Sequence, residues 1–471
     1  MPDFDLAVIG AGSAGLSVTA VAARLGLRVA LIERGRMGGD CLNTGCVPSK
    51  ALLAAAHAAM NGAAAVRFGV AFGAPRIDWD GVRAHVAGVI AGIAPTDSEE
   101  RFRGLGAAVM RDHARFVAPD TLAVGGRRIT ARRIVVAAGS RPAVPEIPGL
   151  TDVPYLTHET LFDLPEKPGH LLVLGGGAIG LEMAQAHAGL GSRVTIVEAQ
   201  TLARREDPAL VASVRDALLA QGVSIHEGSS VLRVERGPAL VLANGERLCG
   251  THLLIATGRR PNVEDVGLEN GGVTTTPAGI ATDRGLRSRS NRRVFAAGDI
   301  ADPAGIGPQY FTHAASHHAS VILRRALFRV PARLVPDAIP RVTYTDPELA
   351  QVGLTEAEAR ARGLAPVVTV WPVAENDRAR TERRTEGVAK LVATRGGRIL
   401  GAGIVAPHAG EMIGAWTLAI ARRIPLSAMA SMIMPYPTRA ETAKRAAGHF
   451  FEPRLFAPRT RWVVKQLARL V

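Results

Sequence analysis

Residues 5–15 read DLAVIGAGSAG, an apolar run that ends in Gly10, Gly12 and Gly15. A stretch rich in Ala and Val follows, and a second apolar run ends in Glu33. This order predicts a strand, a tight turn, a helix and a second strand, which together begin a Rossmann-like unit. The first glycine permits the turn, the second lets the backbone approach a pyrophosphate, and the third lets the helix pack on the strand.

The same pattern occurs again in the middle of the chain. Residues 170–180 read HLLVLGGGAIG, and the apolar run after the next helical stretch ends in Glu198. The three corresponding glycines are Gly175, Gly177 and Gly180. As many residues separate Gly10 from Glu33 as separate Gly175 from Glu198. A single glycine-rich turn is common in α/β proteins, but two complete copies predict two dinucleotide-binding sites, each with phosphates at a helix N-terminus.

The acid of the second copy bears on the identity of the nicotinamide cofactor. A carboxylate at Glu198 accepts hydrogen bonds from ribose hydroxyls and repels the additional phosphate of NADP, which favours NADH. Arg204 and Arg205 lie a few residues further on and offer compensating charge. We therefore expect NADH, with NADPH as the less favoured alternative.

Length and charge narrow the class of protein. The chain has 471 residues and a formal net charge of +14, with the excess carried mostly by scattered Arg. Scattered charge is not the basic patch of a nucleic-acid-binding protein, so we expect no such partner, although it favours the approach of anionic dinucleotides. The length predicts two or three domains.

The early first strand leaves no room for a signal peptide and no apolar run is long enough to span a membrane, so we expect a cytoplasmic protein.

Two cysteines follow the first acid closely, in GGDCLNTGCVPSK at residues 38–50. Three cysteines are too few for the disulfide framework of a large secreted protein. Cys41 and Cys46 lie beside a dinucleotide site and before a helix expected over residues 49–60, and a helix N-terminus stabilises a thiolate. The pattern therefore favours a redox-active pair. Zinc binding and buried inert thiols are the alternatives, but no second pair of zinc ligands lies nearby, so we expect no metal site.

GGDCLNTGCVPSK resembles the active-site segment of the class I pyridine nucleotide-disulfide oxidoreductases, the family of dihydrolipoamide dehydrogenase, glutathione reductase and mercuric reductase. Further similarities extend along nearly the whole chain. They are AGSRP at 138–142, IATGRRPN at 255–262, VFAAGD at 294–299 and PRVTYTDPELAQVG at 340–353. The first two are similar to the segments that close the family's nucleotide-binding halves, the third to its second FAD motif, and the fourth to the start of its interface domain.

The resemblance implies an α/β fold with two Rossmann-like dinucleotide-binding domains and a C-terminal α+β dimerisation domain. We expect a discontinuous FAD-binding domain over residues 1–155 and 286–335, with an NAD(P)-binding domain over 156–285 between its parts. A dimerisation domain over 336–450 and a basic amphipathic tail over 451–471 follow. The resemblance also implies a homodimer. Packing of the tail on the dimer is the favoured hypothesis, and peripheral contact with an anionic membrane is the other.

The resemblance also implies the site residues. Those expected to bind FAD are Gly10, Gly12, Ser13, Gly15, Glu33, Lys50, Ala114, Ser140 and Asp299. Those expected to bind the nicotinamide dinucleotide are Gly175, Gly177, Gly180, Glu198 and Gly258. Lys50 would lie beside the flavin and pair with Glu182. Cys46 would be the thiolate beside the flavin and Cys41 the outer thiol that meets the substrate, so that electrons pass from NADH to FAD, to the disulfide and to an acceptor.

One segment departs from the family. Its disulfide-reducing members carry His-Pro-Thr-x-x-Glu near the C-terminus, where the His is an acid/base held by the Glu in the partner's active site. Here the segment reads YPTRAE, so Tyr436 replaces the His while Glu441 remains. A His titrates near ~6.5 and exchanges protons at neutral pH, whereas a Tyr near ~10 is a poor base. Turnover of a dithiol is therefore disfavoured, and Tyr436 either donates a hydrogen bond or fills the pocket.

The electron acceptor is the open question. The mercuric reductase branch also has tyrosine in this region, so the resemblance is closest to a mercuric-reductase-like enzyme. No cysteine follows Cys249, which we expect to be a structural thiol, so the C-terminal pair that hands over Hg(II) in that branch is missing. We expect a metal ion, a quinone or a small disulfide. Dihydrolipoamide dehydrogenase activity, a quinone or oxygen reductase that bypasses the cysteines, and a redox-sensing flavoprotein without turnover are the alternatives.

Overall fold

A computed structural model describes residues 1–470 of the chain. Its N-terminal unit alternates strands and helices. In chain order the elements are β1 (Phe4–Ile9), α1 (Ser13–Arg24), β2 (Val29–Ile32), α2 (Gly39–Asn43), α3 (Cys46–Ala64), α4 (Trp79–Ile93), α5 (Glu99–Gly104), β3 (Ala108–Met110), β4 (Ala114–Ala118), β5 (Thr121–Val124), β6 (Arg127–Val136) and β7 (Ser140–Pro142). Parallel strands β3, β2, β1 and β6 form the central sheet in that order, and β5 and β4 extend it from one end of β6.

The second unit repeats this plan. Its elements are β8 (His170–Leu174), α6 (Ala178–Gly189), β9 (Arg193–Val197), α7 (Pro208–Ala220), β10 (Ser224–His226), β11 (Val231–Glu235), β12 (Ala239–Leu242), β13 (Arg247–Cys249), β14 (His252–Ile255) and β15 (Arg259–Pro261). Parallel strands β10, β9, β8 and β14 form its sheet, and β11 to β13 form a small antiparallel sheet. Strand β15 pairs with β7, so a two-stranded sheet connects the two units.

The chain then returns to the first unit. The elements of this return are β16 (Thr275–Thr276), β17 (Gly279–Thr282), β18 (Val294–Ala296), β19 (Ala301–Pro303) and α8 (Thr312–Ala326). Strand β18 pairs in parallel with β6, and α8 packs beside α1. A strand from far along the chain thus completes the first sheet, as a discontinuous domain requires. The domain boundaries given above stay predictions.

An antiparallel sheet forms the C-terminal unit. Its elements are β20 (Arg341–Thr343), β21 (Glu348–Gly353), α9 (Glu356–Ala361), β22 (Val367–Pro372), α10 (Asp377–Thr381), β23 (Val388–Ala393), β24 (Ile399–Ala406), α11 (Ala409–Arg422), α12 (Leu426–Ser431) and α13 (Glu441–His449). The strand order is β20, β21, β24, β23, β22, and α11 covers one face with its buried Trp416. Two helices follow, α14 (Glu452–Leu455) and α15 (Pro458–Leu467). The predicted fold class is confirmed.

The local sequence patterns predicted the strands of both glycine motifs correctly, but they placed the start of helix α3 too late. The apolar runs of both glycine motifs form the predicted strands, because a run covered by helices on both faces is buried along most of its length. Helix α3 begins at Cys46 rather than Ser49, with Gly45 as its N-cap. Pro48 is compatible with this start. The N–H groups of the first helical turn have no acceptor within the helix, so the N–H group that proline lacks is not needed there. Cys46 therefore occupies the first helical position.

Candidate active site

One cavity of about 1210 Å³ runs along the first unit and reaches the second and C-terminal units. Its walls contain many of the predicted site residues. These are Gly10, Gly12, Ser13, Glu33, Cys41, Cys46, Lys50, Ala114, Ser140, Glu182 and Asp299. The predicted residues outside its walls are Gly15, Gly175, Gly177, Gly180, Glu198, Gly258, Tyr436 and Glu441. Most of the second group belongs to the other nucleotide motif or to the C-terminal unit.

The first glycine turn is shaped for an adenine dinucleotide such as FAD. Gly10 has a φ of +104°, and a Cβ atom there would lie 2.3 Å from the carbonyl oxygen of Ala137. A Cβ on Gly15 would lie 1.9 Å from the oxygen of Gly10, so helix and strand are too close for any side chain. The Glu33 carboxylate accepts hydrogen bonds of 2.6 Å from the N–H groups of Ala11 and Gly35. The acid is therefore fixed at the edge of the cavity, where a ribose is expected.

The second turn reproduces this geometry. Gly175 has a φ of +115°, and a Cβ on Gly180 would lie 2.0 Å from the oxygen of Gly175. The Glu198 carboxylate accepts hydrogen bonds of 2.7 and 2.8 Å from the N–H groups of Gly176 and Gln200. A Cβ on Gly177, at the start of α6, would meet nothing within 4 Å, which leaves backbone open to a pyrophosphate. The residues present fit a second dinucleotide.

The cysteine pair lies where α3, α1 and α8 converge on the cavity. Both cysteines are free thiols, and Cys46 Sγ lies 3.3 Å from Oγ1 of Thr312, the first residue of α8. A hydrogen bond from Cys41 is the largest influence on Cys46, and with Thr312 and the charge of Lys50 it lowers the pKa of Cys46 to about 6 against the effect of burial. The same hydrogen bond, with burial, raises the pKa of Cys41 far above its usual range. These opposite shifts favour Cys46 as the member of the pair that carries the negative charge and Cys41 as the member that keeps its proton.

Lys50 and Glu182 are paired as predicted, and a tyrosine completes the group. Lys50 Nζ lies 2.6 Å from Glu182 Oε2 and 4.4 Å from the ring centre of Tyr344. The backbone N–H of Tyr344 donates a hydrogen bond of 2.9 Å to Glu182 Oε1. Tyr344 follows β20, so the C-terminal unit holds both members of the ion pair. Nothing in the local sequence pattern marks Tyr344 for this position.

A second charged cluster joins the cysteine segment to the second unit. Asp40 Oδ2 accepts a hydrogen bond of 2.6 Å from Arg259, and Oδ1 lies 3.1 Å from His158 Nε2. Arg259 Nε donates to Ser140 Oγ at 2.7 Å, and Ser140 Oγ donates to Asp299 at 2.5 Å. Burial raises the pKa of Asp40, but His158 and Arg259 outweigh it and lower that pKa well below its usual range. Burial raises the pKa of Asp299. Sequence analysis missed Asp40, His158, Arg259, Thr312 and Tyr344.

Tyr436 and Glu441 lie away from the cavity of their own chain. The Tyr436 side chain is 69% exposed, and its hydroxyl donates a hydrogen bond of 3.0 Å to Asp377. That hydrogen bond raises the pKa of Tyr436 above its usual value. Glu441 begins α13 and accepts a hydrogen bond of 3.3 Å from the N–H of Thr438. Their placement at the partner's cysteines stays a prediction.

The remaining thiol and the histidines do not form a further centre. Cys249 is exposed at the end of β13, 2.7 Å from an Arg247 nitrogen, so the prediction that it is a structural thiol is wrong. It ends an edge strand, which leaves its side chain outside the core. Across residues 1–470, no group of three or more His, Cys, Asp or Glu side chains has the arrangement of a metal site.

Comparison with known proteins identifies the family. The model of the pyridine nucleotide-disulphide oxidoreductases matches residues 4–321, and the model of their dimerisation domain matches residues 339–447. The chain belongs to this family. Mercuric reductase of Streptomyces lividans is 36% identical over 461 residues, covering 95% of this chain and 96% of that protein. Mercuric reductase of Shigella flexneri is 38% identical over 463 residues, covering 94% and 80%. Dihydrolipoyl dehydrogenase of Thermus scotoductus is 33% identical, covering 95% and 97%.

Solved structures give the same family. The HOCl-induced flavoprotein disulfide reductase RclA of Escherichia coli has a TM-score of 0.83 and 29% identity, covering 94% of this chain and 99% of that one. Its Cu(II) complex has a TM-score of 0.82 and 28% identity, covering 93% and 98%. The chain is an FAD-dependent pyridine nucleotide-disulfide oxidoreductase of mercuric-reductase-like type, and its dimerisation domain supports a homodimer. These predictions are confirmed.

Proposed function

We propose that this enzyme uses NADH to reduce a thiophilic metal ion bound by Cys41 and Cys46. The observation that carries the proposal is the pair itself: two free thiols lie in the wall of the cavity, and the pKa of Cys46 is lowered, first by its hydrogen bond with Cys41. Thiolates are preferred ligands of soft metal ions. Among the described residues, Cys41 and Cys46 are the two thiols that lie close together, because the third cysteine, Cys249, lies alone on β13.

The two thiols divide the chemistry between them. The first glycine turn and Glu33 would hold FAD, which would supply the chemistry that links hydride transfer from the nicotinamide to reduction of the cysteine pair. On reduction the S–S bond breaks with two electrons and one proton, which leaves Cys41 as the thiol and Cys46 as the thiolate. A metal ion bound by both sulfurs then displaces the Cys41 proton, and two electrons from the sulfurs reduce the metal as the S–S bond forms again. The whole reaction is NADH + Hg²⁺ → NAD⁺ + H⁺ + Hg⁰, or the same with two Cu²⁺ reduced to two Cu⁺.

Tyrosine at position 436 disfavours a dithiol substrate. A dithiol must lose protons to an acceptor of suitable pKa, but the pKa of Tyr436 is raised by its hydrogen bond to Asp377. A metal ion needs no such acceptor, because it displaces the thiol proton itself. Several relatives are named mercuric reductase, and RclA has been solved as a Cu(II) complex. These names support the proposal for this chain without deciding which ion it reduces.

NADH is the proposed donor because Glu198 holds the position that the extra phosphate of NADPH would approach. Its carboxylate is fixed by the N–H groups of Gly176 and Gln200, so it keeps its charge directed at the ribose site. Arg204, one of the two residues considered as compensating cations, donates to the Gln200 side chain at 3.2 Å.

The first experiment is an anaerobic titration of the FAD-loaded protein with NADH, followed by visible absorption. A long-wavelength charge-transfer band after two electrons per subunit supports a Cys46 thiolate against the oxidised flavin. Bleaching of the flavin without that band would contradict the disulfide relay and favour a reductase that bypasses the cysteines.

The second experiment measures NADH oxidation with Hg(II), Cu(II), lipoamide and a quinone as acceptors. We expect turnover with a metal ion that falls to the background rate in Cys41→Ser and Cys46→Ser, whereas Cys249→Ser retains it. Lipoamide turnover faster than metal turnover would favour dihydrolipoamide dehydrogenase. Quinone turnover that survives in Cys41→Ser would favour the bypass reaction. An FAD-loaded protein inert towards every acceptor would favour a redox sensor.

A further inference from the structure

The C-terminal helices present an apolar surface that the described chain does not cover. No residue of α14 or α15 is buried. The exposed fractions of Leu455, Trp462, Val464 and Leu467 all lie between 55% and 62%. This segment begins after residue 447, where the match to the family's dimerisation domain ends. It therefore lies outside the part of the chain that matches the dimerisation domain.

The same segment carries basic residues without acidic partners. They are Arg459, Arg461, Lys465 and Arg469, and the last salt bridge along residues 1–470 is the one between His449 and Glu452. In α15, Val463 and Leu467 are four residues apart, as are Arg461 and Lys465. Residues four apart share a face of a helix, and these two pairs fall on opposite faces. Val463 and Leu467 thus lie on one side of the helix and Arg461 and Lys465 on the other, with Trp462 and Val464 between them and Arg459 next to Val463.

We infer that residues 452–470 (the basic tail) bind the surface of an anionic lipid bilayer, with the apolar face of α15 at the acyl boundary and the cations at the headgroups. An interfacial helix needs both features, and α15 has both without a partner for either. With ten residues, α15 is too short to cross a bilayer, and no helix among the described residues is long and apolar enough to do so.

Charge also disfavours a second copy of this tail as the partner that covers the apolar face of α15. Residues 452–470 hold five basic residues and one acid, so two of these tails in contact would repel each other, whereas anionic lipid attracts both. A homodimer would place two tails on one particle, which strengthens binding to a surface if both reach it together. This inference is independent of the electron acceptor.

The test uses the FAD-loaded full chain and flotation with two kinds of vesicle, phosphatidylcholine alone or with a quarter phosphatidylglycerol. We expect binding to the anionic vesicles only, weakened by salt. The variants Val463→Asp/Leu467→Asp and Arg461→Gln/Lys465→Gln should each reduce binding by about tenfold or more. Leu219→Asp/Leu232→Asp, on exposed positions of α7 and β11, is the matched control and should bind as the unmodified protein does.

Turnover in solution and light scattering complete the test. All variants should retain the acceptor activity and the oligomeric state of the unmodified protein, because no residue of the tail lines the cavity. Equal flotation of the unmodified protein with both kinds of vesicle, or none with either, would overturn the inference. A tail variant that changes the oligomeric state while vesicle binding persists would assign the apolar face to a second copy instead.

Discussion

Arg259 donates a hydrogen bond of 2.6 Å to Oδ2 of Asp40, the residue that precedes Cys41. The Arg259 side chain is 11% exposed and belongs to β15, the strand that connects the second unit to β7 of the first. The contact therefore ties the segment that carries the outer thiol to the junction of the two nucleotide-binding units. Through Ser140 it also reaches Asp299, a residue expected to contact FAD.

Asp40→Asn should lower the free energy of unfolding by about 2 kcal/mol, because a largely buried guanidinium loses a charged acceptor. The pKa of Asp40 is lowered in the folded protein, so its contribution is complete above the usual carboxyl pKa of 3.8 and is lost as the pH falls below that value. Urea unfolding of the FAD-loaded protein at pH 7 measures the loss. Asp80→Asn, an exposed acid of α4, is the control, and equal stability of the two variants would contradict the role of the pair.

The thiolate of Cys46 gives a second prediction. Because the pKa of Cys46 is about 6, the alkylation rate of the reduced enzyme by iodoacetamide should rise with pH and level off above a midpoint near that value. The hydrogen bond from Cys41 is the largest cause, so Cys41→Ala should move the midpoint upward. Cys249→Ser removes the third thiol from the measurement and serves as the background. An unchanged midpoint in Cys41→Ala would contradict the hydrogen bond.

Tyr344 should act on Cys46 through Lys50. Its ring lies over the Lys50 ammonium, and the charge of Lys50 lowers the pKa of Cys46. Tyr344→Leu should therefore loosen Lys50 and raise the alkylation midpoint of Cys46, whereas Tyr344→Phe keeps the ring and the midpoint. If both substitutions shift the midpoint equally, the hydroxyl and not the ring is responsible.

The steric requirements at the glycine positions explain why so much of the fold was predictable. Gly10 and Gly175 have positive φ values and backbone oxygens within 2.4 Å of where a Cβ would stand, so the local sequence is tied to the turn that the fold requires. Each motif also carries its acid at the predicted distance from the first glycine, and both acids accept hydrogen bonds from backbone N–H groups of their own turn. Where one residue type is the only one that fits, sequence predicts structure reliably.

The unpredicted part of the site depends on contacts between distant segments. Asp40 belongs to α2, His158 to a loop and Arg259 to β15, and no periodicity relates them. The sequence offered one signal, which is the charge of Asp40 beside Cys41. A buried charge without a partner is costly, so a carboxylate at this position indicates a cationic partner elsewhere in the chain. The start of α3 was missed for a local reason, because Pro48 is acceptable in a first helical turn.

Tyrosine at position 436 predicts a switch of substrate. Tyr436→His should raise the rate with dihydrolipoamide by up to about 100-fold, since it supplies an acid/base that titrates near neutral pH beside the retained Glu441. Tyr436→Phe is the control and should leave the metal-ion rate unchanged. Steady-state assays with both acceptors measure the effect. A Tyr436→His enzyme with no gain in dithiol turnover would mean that this segment does not meet the cysteines of the partner.

Glu198 should set the choice between the two nicotinamide cofactors. Glu198→Ala removes the negative charge that faces the extra phosphate of NADPH, so the ratio of kcat/KM for NADH to that for NADPH should fall, mainly through a lower KM for NADPH. Glu33→Ala is the matched variant in the other nucleotide motif, where the same backbone hydrogen bonds are lost, and it should weaken FAD retention without changing that ratio. Steady-state kinetics with both cofactors and the ratio of flavin to protein absorbance separate the two effects. A Glu198→Ala enzyme with an unchanged cofactor ratio would show that the charge of Glu198 does not face the phosphate.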